Sequence, residues 1–132
     1  MLNAEVLVKM TIKERANWIA GACLGFKGTT TDYQEEWQAT RYHVGGKMFA
    51  MVGGDKNGEP IVTVKLEPLF GELLRGQHKE IVPGYYMNKT HWNSIYLESD
   101  IQNELYLTLL EQSYQLIFRG LTKKAQREIL ED

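Results

Sequence analysis

The sequence has one cysteine, Cys23, so no disulfide can close within the chain. It also lacks any apolar span of about 18 residues, the length a membrane helix requires. Its opening apolar run, AEVLVKM, is interrupted by Glu5 and Lys9 and does not make a signal segment. A cytoplasmic protein without membrane contact is the expectation. Neither sign of charge dominates: 15 Lys and Arg face 17 Asp and Glu, a net charge of -2, with a pI near 5.9. Proteins that coat nucleic acid draw their affinity from phosphate neutralisation, so this balance argues against such a role while leaving room for a local basic face. The segments differ: residues 38–95 carry 7 basic and 5 acidic groups, and residues 96–132 carry 4 and 7.

Chemistry-bearing clusters are scarce too. His43, His78, His91 and Cys23 fall in four segments with no ligand spacing, so neither a metal nor another cofactor is expected. Cys23 sits on the apolar stripe of a helix, where a thiol is usually buried and inert. The acidic pairs Glu35–Glu36 and Glu131–Asp132 read as solvated loop and terminus. The glycines of GGKMFAMVGG lack the order of a phosphate-binding loop and suit hairpin turns better. No catalytic constellation emerges, and enzymatic activity is not expected.

With 132 residues, 43% hydrophobic and 24% charged, the chain has the makings of one globular domain spanning residues 1–132. Thr11 and Glu14 match a capping box, and Ile12, Ala16, Ile19, Ala20 and Cys23 follow at helical spacing, predicting a helix from Thr11 to Cys23 that stops before Gly25. Residues 26–36 are polar and without period, which predicts a loop. WQATRYHV, KMFAMV and IVTVKL, separated by Gly45-Gly46 and by the turn containing Asn57-Gly58, predict a three-stranded antiparallel meander. In its third strand Val62, Val64 and Leu66 should face the core while Thr63 and Lys65 face outward. Pro68 opens a short helix expected to end before Gly76. NSIYLES predicts a strand with Ile95 and Leu97 inward. Ser99 and Gln102 form a second possible capping box before the longest helix, marked by Leu105, Leu109, Leu110, Tyr114 and Ile117, and LTKKAQREILED predicts a final short helix. The order implies an α+β two-layer sandwich, an antiparallel sheet packed against N- and C-terminal helices with its other face open to water.

That open face is where function is expected. Arg41, His43, Lys47 and Lys65 lie on the strands, and VPGYYMNKTHWNS, residues 82–94, adds Tyr85, Tyr86, Asn88, Lys89, His91 and Trp92. Cations can position phosphates, asparagine can read base edges, and exposed rings can stack. The same residues also fit a purely architectural role, with Trp92 and Tyr85 plugging the sheet edge and Asn88 bonded to loop backbone. Val82-Pro83-Gly84-Tyr85 has the composition of a type II turn, with Gly84 taking a positive φ.

VGGKMFAMV (44–52), VTVKLEP (62–68), PGYYMNKTHWNSI (83–95) and SYQLIFRGLTKK (113–124), in that order, resemble the MmcQ/YjbR family of small bacterial proteins. The likeness runs from about Asp32 to Lys124, and its most specific part is the P-G-Y-x-M-N-K-x-H-W run. It implies a frataxin-like (CyaY-like) fold and a DNA-binding role through a double-wing arrangement of the sheet; it implies no enzymatic activity, and likeness of fold to frataxin does not carry over iron binding. The family pattern falls on Lys47, Lys65, Pro83, Gly84, Tyr85, Met87, Asn88, Lys89, His91, Trp92 and Asn93. The chain departs from it at Thr90, where similar proteins often have arginine, at Tyr86, often histidine, and at QEEWQ, where a proline-containing turn is common. The first two departures remove positive charge from a surface that would meet phosphate. The expected DNA-binding set is Arg41, Lys47, Lys65, Tyr86, Asn88, Lys89, His91 and Trp92. The alternative is a protein-interaction or small-ligand adaptor anchored on Tyr85, Tyr86 and Trp92.

Overall fold

The computed structural model describes residues 10–84 and 87–131. Helix α1 (Ile12–Leu24) begins at the predicted capping box: Thr11 Oγ1 accepts from the Glu14 N–H (3.0 Å) and Glu14 Oε1 accepts from the Thr11 N–H (2.8 Å). Strands β1 (Thr29–Gln34), β2 (Ala39–Val44), β3 (Lys47–Gly54) and β4 (Pro60–Lys65) follow. After them come α2 (Pro68–Gln77), β5 (Ile81–Pro83), β6 (Trp92–Tyr96), α3 (Asn103–Arg119) and α4 (Lys123–Glu131). All strands pair antiparallel in one sheet of order β1-β2-β3-β4-β6-β5. The α+β class and the meander β2-β3-β4 agree with the sequence pattern, and Gly45 and Gly46, at φ 59° and 79°, form the tight β2–β3 reversal.

Several expectations are corrected. Residues 26–36 are not a loop throughout, because β1 occupies Thr29–Gln34. An edge strand with nearly every side chain exposed shows no apolar alternation, and its TTTDYQ sequence hides it. Gly76 lies inside α2, which runs on until the His78 N–H meets Leu74 O. Ser99 does not cap α3; Gln102 holds that position without a side-chain bond, while the Ser99 hydroxyl is engaged by Tyr106, by Arg15 and by the Ile101 N–H. Gly84 lacks a positive φ. Instead of turning after Pro83, the chain extends the edge pairing, and the Gly84 N–H donates to Trp92 O at 2.7 Å.

The core lies between the sheet and the helices. Tyr42, Val44, Ala50, Val62, Val64 and Ile95 meet Ile19 and Cys23 of α1 and Leu109, Leu110 and Tyr114 of α3. A β-bulge between Tyr42 and His43 sets Tyr42 opposite Ala50 and His43 opposite Met48, so Phe49 is an extra residue that also turns into the core. There Phe49 packs edge-on to Tyr114, with ring centroids 5.4 Å apart, and Tyr114 stacks on Phe26 at 5.0 Å. One buried cation crosses this layer. Arg15 Nη1 donates to Leu97 O (3.0 Å) and Ser99 O (3.2 Å), Arg15 Nη2 donates to Ile101 O (3.1 Å), and the guanidinium lies over the Tyr106 ring at 4.6 Å. Among the described residues no helix is long and apolar enough to cross a membrane.

Candidate functional site

The second face of the sheet is not open to water throughout. Alternation puts Ala39, Met51, Ile61, Thr63 and Ser94 on it, yet all five are buried. Thr63 does point away from the core as its spacing requires, but it is 1% exposed and shares a 2.8 Å hydrogen bond with Ser94 Oγ across the β4–β6 pair. Beside these residues lies a cleft of about 630 Å³. Ala39, Met51, Ile61 and the backbone of Gly53 and Gly54 line it from the sheet, Glu36 and Trp37 from the β1–β2 turn, and Met87 from the segment before β6. None of the described lining residues comes from a helix.

The turn that carries Trp37 is held at both ends. Its four residues, Glu35 to Gln38, bridge the Gln34–Ala39 pair; the Gln38 N–H donates to Glu35 O, and Gln38 adopts φ 50°, the left-handed conformation that lets a non-glycine residue close this turn. Trp37 keeps 56% of its surface exposed. The Arg41 guanidinium sits over its ring at 5.6 Å and is itself clamped by Asp32, Nε to Oδ1 at 2.8 Å and Nη2 to Oδ2 at 2.6 Å. The hydrogen bond from Arg41 holds the Asp32 carboxyl below its ordinary pKa, and the same pairing raises that of Arg41. Asp32 and Arg41 are register partners in β1 and β2, so the strand overlooked in the sequence is what fixes this arginine.

The expected DNA-binding residues are only partly brought together. Arg41 lines the cleft but is engaged by Asp32 and Trp37. Lys47 is exposed at the β2–β3 turn, and alternation through the bulge assigns it with Val44 to the helix side of the sheet. Lys65 is half-buried on the cleft side, opposite Trp92. Asn88 is built into the backbone: its Oδ1 accepts from the Thr90 N–H (2.9 Å) and its carbonyl from the His91 and Trp92 N–H groups. Lys89 is exposed at the tip of that turn. His91 and Trp92 are half-buried, and their carbonyls accept from Leu66 and Gly84. Tyr86, like Tyr85, lies outside the described residues. Asn93 faces the helices, fully buried, and accepts from Arg75 Nη1 of α2.

The model of the YjbR family matches residues 24–116. The chain belongs to the MmcQ/YjbR family. Its relatives include YjbR of Escherichia coli K12, 30% identical over 92% of this chain and 99% of that one. YyaQ of Bacillus subtilis is 35% identical over 67% and 86%. Both are called uncharacterized proteins. The fold is shared with the crystal structure of a Deinococcus radiodurans protein carrying the DUF419 domain, at TM-score 0.79 and 26% identity over 92% of this chain and 91% of that one. A Pseudomonas syringae protein shares it at TM-score 0.68 and 22% identity, over 78% and 97%. Every described residue lining the cleft falls within the stretch matched by the YjbR model.

The cleft was missed by sequence reasoning, although a signal for it is present. KMFAMV and PIVTV are almost continuously apolar, and a strand apolar at successive positions is covered on both faces. Assigning one face of each strand to solvent set aside Met51 and Ile61.

Proposed function

We propose that this domain binds a small, largely apolar molecule in the cleft between the sheet and the Met87 segment, and that it carries out no chemistry on it. The observation that supports this is the cleft itself: about 630 Å³, mostly apolar walls and a few polar groups at one side, the usual make-up of a small-molecule site. Its titratable groups among the described lining residues are Glu36, on an exposed turn, and Arg41, already paired with Asp32. That leaves little to act as acid, base or nucleophile.

Nucleic-acid binding, the role the family likeness implies, would draw on Lys65, Lys89, His91 and Trp92. It has less support. Arg41 is neutralised, Lys47 is assigned to the other side, Asn88 is used by its own turn, and the net charge is -2. The frataxin-like description is kept for the two-layer arrangement alone. Methyl NMR spectra of the chain with a fragment collection, and with a short DNA duplex at two salt concentrations, distinguish the two roles. Fragment-induced shifts at Ala39, Met51 and Ile61 are expected. Silence at those methyls from every fragment, together with duplex binding that fades as salt rises, overturns the proposal in favour of DNA.

A further inference from the structure

We infer that the cleft is shaped for a planar aromatic ring system, neutral or positively charged, that stacks against the Trp37 indole and meets methionine thioethers. This rests on the cleft being a ligand site and specifies the ligand's class. An indole with over half its surface in water ordinarily samples several rotamers, but here a guanidinium on its ring and a carboxylate on the guanidinium hold it in place. Asp32, Arg41 and Trp37 form a chain at the edge of the cavity, and the indole keeps more than half of its surface exposed there. Orientation arranged before binding lowers the entropic cost of stacking.

The rest of the lining suits the same ligand. Three of the chain's five methionines line the cleft, Met48 and Met51 from β3 and Met87 from the segment before β6. Thioether sulfur is polarizable and makes favourable contacts with ring edges, and the unbranched side chain adapts to varied outlines. The sheet contributes no side chain at Gly53, on the same face as Met51 and Ile61, and a slab-shaped ligand can lie close to backbone there. At Gly53 an added Cβ would come within 3.1 Å of Ala39 Cβ, so the smooth floor depends on both small residues. Charge selects further. Among the described lining residues the charged groups are Arg41, already paired with Asp32, and Glu36, a balance that disfavours an anion.

The test is a titration of the full chain, labelled with ¹³C at the methionine methyls, with three probes: 9-aminoacridine, a planar cation at neutral pH; anthracene-9-carboxylate, of the same outline and negative; and 1-adamantylamine, an apolar cation that is not planar. The acridine should bind with shifts at Met48, Met51 and Met87. The anthracene acid should bind about ten-fold more weakly or less, and Glu36→Gln should narrow that gap. Trp37→Ala should weaken the acridine by about five-fold or more, the usual scale for losing a stacking partner, while Trp37→Phe keeps part of the affinity. Trp37 is exposed, so the variant is expected to fold, and an unchanged circular dichroism spectrum checks this. Equal binding of adamantylamine, tighter binding of the acid, or no effect of Trp37→Ala on a folded protein overturns the ring-system inference. So do silent probes where fragments still shift Ala39, Met51 and Ile61, leaving the cleft a ligand site of another class. If fragments are silent as well, both proposals fall.

Discussion

Arg15 shows how much one side chain can be asked to do. It is buried, and its guanidinium satisfies the carbonyls of Leu97, Ser99 and Ile101 at once. Arg15→Met keeps the bulk but leaves those acceptors in a dry environment with no donor. The variant should lose about 3 kcal/mol of stability, the scale of stranded buried polar groups, as a lower urea midpoint at unchanged slope. Asp32 and Asp55 belong to the surface instead. Asp32 is held below the ordinary carboxylate range by its hydrogen bond from Arg41. Asp55 is held there first by the Tyr96 hydroxyl at 2.7 Å and then by the Glu59 N–H. A depressed folded-state pKa contributes stability that is complete above the unfolded value of 3.8 and disappears as pH falls through the lower folded values. The wild type should therefore lose thermal stability as it is acidified below about pH 4, and the Asp32→Asn, Asp55→Asn double variant should show a flatter profile there. Asp32 is exposed and Asp55 half-buried, so raising the salt concentration should also shrink the difference, chiefly through Asp32.

At the scale of elements, the sheet's two edges are where sequence and structure part company, and the reasons differ. The central strands, α1 and α3 are legible because half-buried elements carry a period, and α2 is legible from Pro68 at its start. At one edge, β1 has no buried face to impose one. At the other, β5 is three residues long, too short for a pattern, and its position depends on pairing with Asn93, Ser94 and Ile95 of β6 that no local rule encodes. PGY composition suggested a turn because Gly is the usual residue at positive φ. Gly84 is required here for proximity: a Cβ on it would lie 2.8 Å from Trp92 Cβ and 2.9 Å from Trp92 O. Gly84→Ala should accordingly cost about 1–3 kcal/mol, as overpacking does. Thermal unfolding would measure this, and exchange of the Gly84 amide, bonded to Trp92 O, should quicken locally. The candidate site was half legible for a related reason. Asn88, Lys89 and His91 stand out as residue types, yet Asn88 serves its own turn; Trp37, Met51 and Ile61 look like ordinary strand and turn residues until the bulge and β1 bring them around one cavity.

For the whole molecule, Cys23 offers a built-in reporter. It is fully buried between α1 and the sheet, and burial pushes its thiol up to about 12, so the native protein presents almost no thiolate. Reaction with a thiol reagent should be slow in buffer and accelerate with urea in step with the loss of secondary structure, because reaching Cys23 requires the core to open. Rapid labelling of the native protein would contradict that packing. The connection that Arg15 makes has a counterpart in time. Its most distant carbonyl acceptor, Ile101 O, lies 86 residues further along the chain. During synthesis at about 5–20 residues per second, the first helix would leave the ribosome roughly 4–17 s before its partner carbonyls are made. For that interval the apolar stripe of α1 and its unanswered guanidinium are the business of whatever escorts the nascent chain, and the fold can close only once the segment before α3 has arrived.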